Sequence, residues 1–265
     1  MKNIALFGIC GKMGKAMLSE LMCEKEIKIT AGFDKVNIGM DIGVLNGRDI
    51  TGIKVTDSYE DIKEACPDLI IDFTGPDAVF NNIEWAVKNN IDIIVGATGL
   101  KKEEIEYLRK KSREFKSKVF IVPNFSIGAV IMILISKLSA RYFENCEIIE
   151  MHHENKKDAP SGTSISTAES IAKVIKYNDS KLNKDERESI EGSRGAFING
   201  LHIHSVRLPG LLAHQCVIFG SKGQTLTIKH DSFNRSSFYP GLIMAIQNID
   251  KLSNFTYGLE SLIKL

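Results

Sequence analysis

Residues 3–14 read Asn3-Ile4-Ala5-Leu6-Phe7-Gly8-Ile9-Cys10-Gly11-Lys12-Met13-Gly14. A short apolar run ends in glycine, glycines recur at every third position, and a helical pattern begins. Met13, Met17, Leu18 and Leu21 repeat at helical spacing over residues 12–23, and 27–34 is a second strand-like run. Glycines at such a strand–helix turn let the main chain approach a pyrophosphate, and free N–H groups at the helix start bind its charge. Here the spacing is Gly-x-x-Gly-x-x-Gly, because Ile9 stands where the commoner fingerprint, aligned on Gly11 and Gly14, has its first glycine. The candidate contacts in the loop are Gly8, Ile9, Cys10, Gly11, Lys12 and Met13. Asp34 ends the second strand about 20 residues after Gly14, where an acid binds a ribose 2′-hydroxyl. Lys35 adds a cation that suits a 2′-phosphate, so both NADH and NADPH are admitted. A plain structural turn beside a surface Asp–Lys pair is the alternative; motif and context together favour the dinucleotide.

Working outward, residues 68–74, 91–96 and 118–122 are apolar runs of strand length, and helical segments near 78–88 and 103–115 separate them. Continuous apolar runs suit strands buried on both faces, as in a parallel sheet. The alternation predicts an α/β fold with a Rossmann-like, doubly wound parallel sheet. Ligands of such sheets bind at the carboxyl ends of strands. Gly96, Ala97 and Thr98 follow one strand, and Val122, Pro123, Asn124 and Phe125 follow another. Thr98 and Asn124 are expected to supply polar contacts and Phe125 to pack against nicotinamide; ordinary loops are an equal reading of these residues. The pattern then changes. A long apolar helix over 126–143 leads to a strand over 145–151, and a polar loop to a helix over 163–177. A charged stretch over 178–194 is expected to be an exposed excursion. Short strands over 201–208, 214–220 and 224–231 predict a second, α+β domain with a mixed sheet. The expected boundaries are 1–126 with 236–265 for the dinucleotide-binding domain and 127–235 for the second domain.

Composition narrows the class. Hydrophobic residues are 43% and charged residues 25%, an ordinary globular balance that excludes disorder as the main state. The net charge of +1 provides no long-range field for nucleic acid or an anionic membrane. No apolar run approaches the ~18 residues of a membrane span. The glycine turn comes too early for residues 1–8 to be read as a signal peptide. The five cysteines lack metal-motif spacing, and their odd number argues for thiols in a reducing cytoplasm. No metal site is expected: His202 and His204 share a strand face without a recognisable third ligand.

The chemistry lies in Glu150-Met151-His152-His153-Glu154-Asn155-Lys156-Lys157-Asp158-Ala159-Pro160-Ser161-Gly162-Thr163. Two histidines and two lysines fall within residues 152–157. Neighbours on a strand point to opposite faces, so His152 and His153 are expected to play different roles at a strand end. Ser161-Gly162-Thr163 opens a helix, whose exposed N–H groups make a carboxylate site. The segment is suited to a small polyanion with a proton donor beside it. Neighbouring cations are expected to destabilise the Lys156 ammonium and ready it to release a proton. His214, His230 and Arg235 are further candidates for substrate contact.

This stretch resembles the signature of the 4-hydroxy-tetrahydrodipicolinate reductase (dihydrodipicolinate reductase) family, and the resemblance runs over essentially the whole chain. It implies that NAD(P)H reduces a cyclic, unsaturated dicarboxylic imine, formed from the hydroxy substrate by loss of water, in diaminopimelate and lysine biosynthesis. It further implies acid–base work at His152, proton donation by Lys156, and substrate binding by His153, Gly162 and Thr163. The glycine loop, Gly96–Thr98 and the segment at Asn124 fall where the family has its nucleotide contacts. Asp34 beside Lys35 resembles members that use both NADH and NADPH. The second domain would carry a small dicarboxylate substrate and assemble a cytoplasmic homotetramer. Two other readings are another two-domain nicotinamide dehydrogenase, acting on an amino acid or semialdehyde, and a non-enzymatic dinucleotide sensor. The dense proton-carrying loop argues against both.

Overall fold

Strands of the first half are apolar along most of their length because both faces of their sheet are covered. The computed structural model describes residues 1–114, 116–177 and 187–264. The elements run β1 (Lys2–Phe7), α1 (Lys12–Leu21), β2 (Ile27–Phe33), α2 (Ile42–Leu45), β3 (Val55–Thr56), α3 (Tyr59–Glu64), β4 (Leu69–Asp72), α4 (Val79–Lys88), β5 (Asp92–Val95), α5 (Lys102–Lys111) and β6 (Val119–Ile121). All four residues of β4 are buried, as a two-sided cover requires. On one face the rings of Phe7, Phe33, Tyr59 and Trp85 stack in series, with centroids 4.4, 5.0 and 4.8 Å apart.

The chain then builds α6 (Ile127–Ser139), β7 (Asn145–His152), α7 (Gly162–Ala172), β8 (Ala196–Ile198), β9 (Leu201–Arg207), β10 (Ala213–Ser221) and β11 (Gln224–Ser232). These strands order as β11-β10-β7-β9-β8. The β7–β9 pair is parallel and the others antiparallel, so the sheet is mixed. One face is apolar: Ile148, Leu201, Ile203, Val217 and Phe219 pack with Met132 of α6 and with Ala168 and Ile171 of α7. Ser126 caps α6 and Ser161 caps α7, each side chain accepting the N–H three residues on. The expected helix over 163–177 stops at Ala172. Of the expected excursion over 178–194, residues 178–186 lie outside the described residues, and 187–193 are exposed.

The chain ends with α8 (Tyr239–Asn248) and with β12 (Phe255–Tyr257), which joins the first sheet, whose order is β12-β6-β5-β4-β1-β2-β3, parallel throughout. The run β3-β2-β1-β4-β5-β6 is the doubly wound order, and its direction reverses between β1 and β4. Contacts divide the chain into two units, Met1–Phe125 with Phe238–Leu265, and Ser126–Ser237. No helix among the described residues is long and apolar enough to cross a membrane.

Candidate active site

The reversal point in the first unit opens a cleft of about 450 Å³ lined on one side by Gly8, Cys10, Gly11, Asp34 and Lys35, and on the other by the segment after β4. Its shape follows from the glycines. Gly8 takes φ +73°, and a Cβ there would lie 2.6 Å from the main chain of Phe73. Gly14 lets α1 settle directly onto the turn: a Cβ would overlap the Gly8 carbonyl oxygen. Gly11 precedes α1 and gives it no side-chain cap, unlike the serines that cap α3, α6 and α7. The first N–H groups of α1 are therefore left for a ligand, and the helix dipole favours an anion there. Asp34, just past β2, accepts N–H bonds from Cys10 (2.9 Å) and Val36 (3.3 Å). Its two oxygens retain lone pairs for a ribose hydroxyl. Lys35 beside it is exposed. An uncapped helix start, a glycine cradle and an acid at the end of β2 fit an adenine dinucleotide.

Other expected contacts are distributed unevenly. Ile9 and Val122 are wholly buried, so only their main chain is open to a ligand. Ala97 is buried, whereas Lys12, Thr98 and Pro123 are exposed, and Met13 and Asn124 are half-buried. Phe125 is 4% exposed, its ring edge-on to Phe73 at 5.8 Å with Gly96 against both. The ring thus forms a wall beneath Gly96 and offers no open stacking face, contrary to the expectation from sequence. Phe73, Thr74, Gly75 and Asp77 line the cleft and were not among the expected contacts. Their signal was available: β4 ends there, and the strand carrying the glycine turn is its neighbour.

In the second unit, β7 ends at His152 and the loop begins at His153. Glu150 and His152, two apart on the strand, share a face. Glu150 is fully buried. Its Oε2 lies 2.5 Å from His152 Nδ1, and Arg207 donates to both its oxygens, Nη1 to Oε2 at 3.0 Å and Nη2 to Oε1 at 2.8 Å. Arg207 Nη2 also donates to the carbonyl of Asp158 at 2.7 Å. Lys156 Nζ donates to both carboxylate oxygens of Asp158, at 2.8 and 2.9 Å. An anion, not a crowd of cations, is therefore the nearest charge to Lys156, which corrects the expectation from sequence. Lys156 in turn holds the Asp158 carboxyl below its ordinary range. Burial raises Glu150, but hydrogen bonds from Arg207, Ser205 and His152 outweigh it and leave the carboxyl lowered. At the start of α7, Ser161 Oγ takes the Ser164 N–H, leaving the N–H groups of Gly162 and Thr163 for a ligand.

Residues 2–125 match the family model described as dihydrodipicolinate reductase, N-terminus, and residues 128–263 match its C-terminal counterpart. The chain belongs to the dihydrodipicolinate reductase family. A 4-hydroxy-tetrahydrodipicolinate reductase of Carboxydothermus hydrogenoformans is 39% identical over 264 residues, covering 99% of this chain and 100% of the relative. One from Syntrophomonas wolfei is 43% identical, covering 98% of each. The solved dipicolinate-bound dihydrodipicolinate reductase of Paenisporosarcina sp. TG-14 superposes with a TM-score of 0.88 at 37% identity, covering 99% of this chain and 100% of that one. An amine dehydrogenase of Mycobacterium smegmatis, 10% identical with a TM-score of 0.71, shares the fold alone. Membership of this reductase family, with its Rossmann-like sheet, makes the chain a nicotinamide-nucleotide enzyme.

The remaining candidates also lie in the second unit. His214 Nδ1 meets Asp231 of β11 at 2.7 Å and its Nε2 accepts the N–H of Leu212, just before β10, at 3.3 Å, so both nitrogens are engaged. His204 and Arg194 both bind Glu147, at 2.8 and 2.6 Å. His230 Nε2 lies 3.3 Å from Ser126 Oγ. Arg235 is exposed. Glu150 stands in the signature stretch without a role assigned from sequence, and Arg207 was passed over. Glu150 had a signal in its strand spacing from His152; Arg207 had none, because only the β7–β9 register sets it beside His152.

Proposed function

We propose that this chain catalyses the NAD(P)H-dependent reduction of 4-hydroxy-tetrahydrodipicolinate to tetrahydrodipicolinate, with loss of water, in diaminopimelate and lysine biosynthesis. The observation that carries the reading is the 152–163 loop, where an imidazole, an ammonium group and the free N–H groups of α7 occur together in a family member of full length. A bound reduced nicotinamide supplies the hydride for C4 of the dehydrated ring. Lys156 gives the proton that quenches the resulting enamine charge, and His152 performs acid–base work at its Nε2. His153 binds the substrate, and Gly162 and Thr163 hold one carboxylate through N–H and hydroxyl donors. Asp158, whose side chain is 62% exposed, is the partner that an incoming carboxylate displaces from Lys156. Turnover of substrate made in situ by the preceding synthase, followed with each reduced nucleotide, tests the reading; loss of neither nucleotide would refute it.

The unit with the seven-stranded sheet holds the nucleotide through Gly8–Met13, Asp34, Lys35, Gly96–Thr98 and Val122–Phe125, with Phe125 contributing its main chain and not its buried ring. The other unit binds the dicarboxylate, and its mixed sheet assembles a homotetramer. Five free thiols suit a reducing cytoplasm. Both NADH and NADPH serve, through Asp34 and Lys35 respectively. A hydrogen bond to a charged group contributes about 1.5–3 kcal/mol. Asp34→Ala is therefore expected to raise the ratio of kcat/KM for NADPH over NADH by about 10-fold or more. An unchanged ratio would remove Asp34 from nucleotide choice.

A further inference from the structure

A fully buried carboxylate demands an explanation. Glu150 is 0% exposed, and burying an ion pair contributes little to stability compared with apolar residues of the same size. Yet both Glu150 oxygens are occupied: Oε1 by Arg207, and Oε2 by Arg207 and His152. An ionised carboxylate only accepts hydrogen bonds, so the His152 nitrogen facing it must carry the proton. We propose that Glu150, clamped by Arg207, is the positioning residue for His152, holding it as the Nδ1–H tautomer and leaving Nε2 as the nitrogen that exchanges protons. The proposal rests on the acid–base reading of His152 given above.

Three features beyond the single contact support it. Arg207 makes the fork geometry that fixes a carboxylate in orientation as well as position. The same guanidinium reaches the Asp158 carbonyl, and the Asp158 carboxylate holds Lys156. One set of contacts thus ties together both proton-handling side chains. Finally, the influences on His152 oppose one another: burial first, then Lys156 from the loop and Arg207 from β9, disfavour the imidazolium, and Glu150 favours it. The balance leaves the imidazole below its ordinary value, and removing Glu150 tips it further.

Glu150→Gln is the informative change. Wherever its amide nitrogen points, a donor meets an Arg207 donor; if it takes the Oε2 place, it also meets His152 Nδ1 and forces the Nε2–H tautomer. The double variant E150Q/R207M removes the donor clash and serves where the single variant folds poorly. The experiment records ring nitrogen NMR spectra of His152 against pH in the parent and both variants, beside the pH dependence of kcat. The parent is expected to show a protonated Nδ1. The variants are expected to lose that preference, to titrate at lower pH, to shift the acid limb of kcat with it, and to lose roughly 10²-fold in kcat. KM should stay within about threefold, because a positioning effect falls on the chemical step. A parent ring protonated at Nε2 alone would overturn the proposal whether or not the variants fold, as would a folded variant with the parent's tautomer and midpoint. Undiminished kcat in H152N would overturn the acid–base reading together with the catalytic half of this proposal; an unmoved ring spectrum overturns the proposal alone.

Discussion

Lys156→Ala is expected to lower kcat by roughly 10²–10⁴-fold while leaving the fold intact. The size follows from the loss of a positioned general acid, the usual contribution of such a group. Intact folding follows from the Lys156–Asp158 pair, whose side chains are 20% and 62% exposed. Water-exposed pairs of this kind contribute only about 0–1 kcal/mol, so the unfolding midpoint should barely move. Lys156→Arg separates charge from proton transfer. Arginine keeps the positive charge but does not deprotonate in proteins. Substrate KM should therefore stay near the parent's in K156R while kcat remains low. The check is steady-state kinetics on freshly generated substrate, with circular dichroism on the same samples. A kcat within about twofold of the parent for both variants would remove Lys156 from the reaction.

The second large effect is structural. Gly14→Ala is expected to destabilise the protein by about 1–3 kcal/mol or more, and to weaken nucleotide binding severely. The added methyl would overlap the Gly8 carbonyl oxygen and sit 2.8 Å from Ile9 Cα. Both obstacles are main chain, so no side chain can rotate away. Either α1 must lift from the turn or the turn must deform, and each moves the free N–H groups from their place at the cleft. Thermal unfolding and titration of nucleotide fluorescence measure the two consequences separately. Parent-like values in both would show that the close approach of α1 to the turn is not needed.

The first unit was legible where apolar runs were long enough to show a period. The strands β2, β4, β5 and β6 fall within the runs read from sequence, trimmed at their ends, and β1 begins one residue before its run, at Lys2. The elements β3 and β12 have two and three residues, too few for any alternation to register. The helix α3 has six residues and one buried apolar side chain, Ile62, so its cues were confined to the Ser58 cap and the acids Glu60 and Asp61 behind it. The site was legible to the extent that it is contiguous. His152, Lys156 and Gly162 lie within eleven positions of chain, and their residue types announce proton and anion chemistry. What sequence order hides is who faces whom. Charge counting in the loop suggested that Lys156 is surrounded by cations, whereas Asp158 folds back onto it. Arg207 stands 57 residues from Glu150, and only a parallel strand pairing brings them together. Phe125 looked available for stacking because nothing local shows that Phe73 and Gly96 cover it.

The proposed reaction moves a hydride from nicotinamide to C4 of a doubly anionic ring and completes the reduction with a proton from the 152–163 loop. Turnover with nucleotide deuterated at both C4 positions, followed by mass and NMR analysis of the product, tests this most directly. One deuterium per product molecule, located at ring C4, is the predicted result. Product formed without deuterium, or deuterium placed at another ring carbon, would contradict the account.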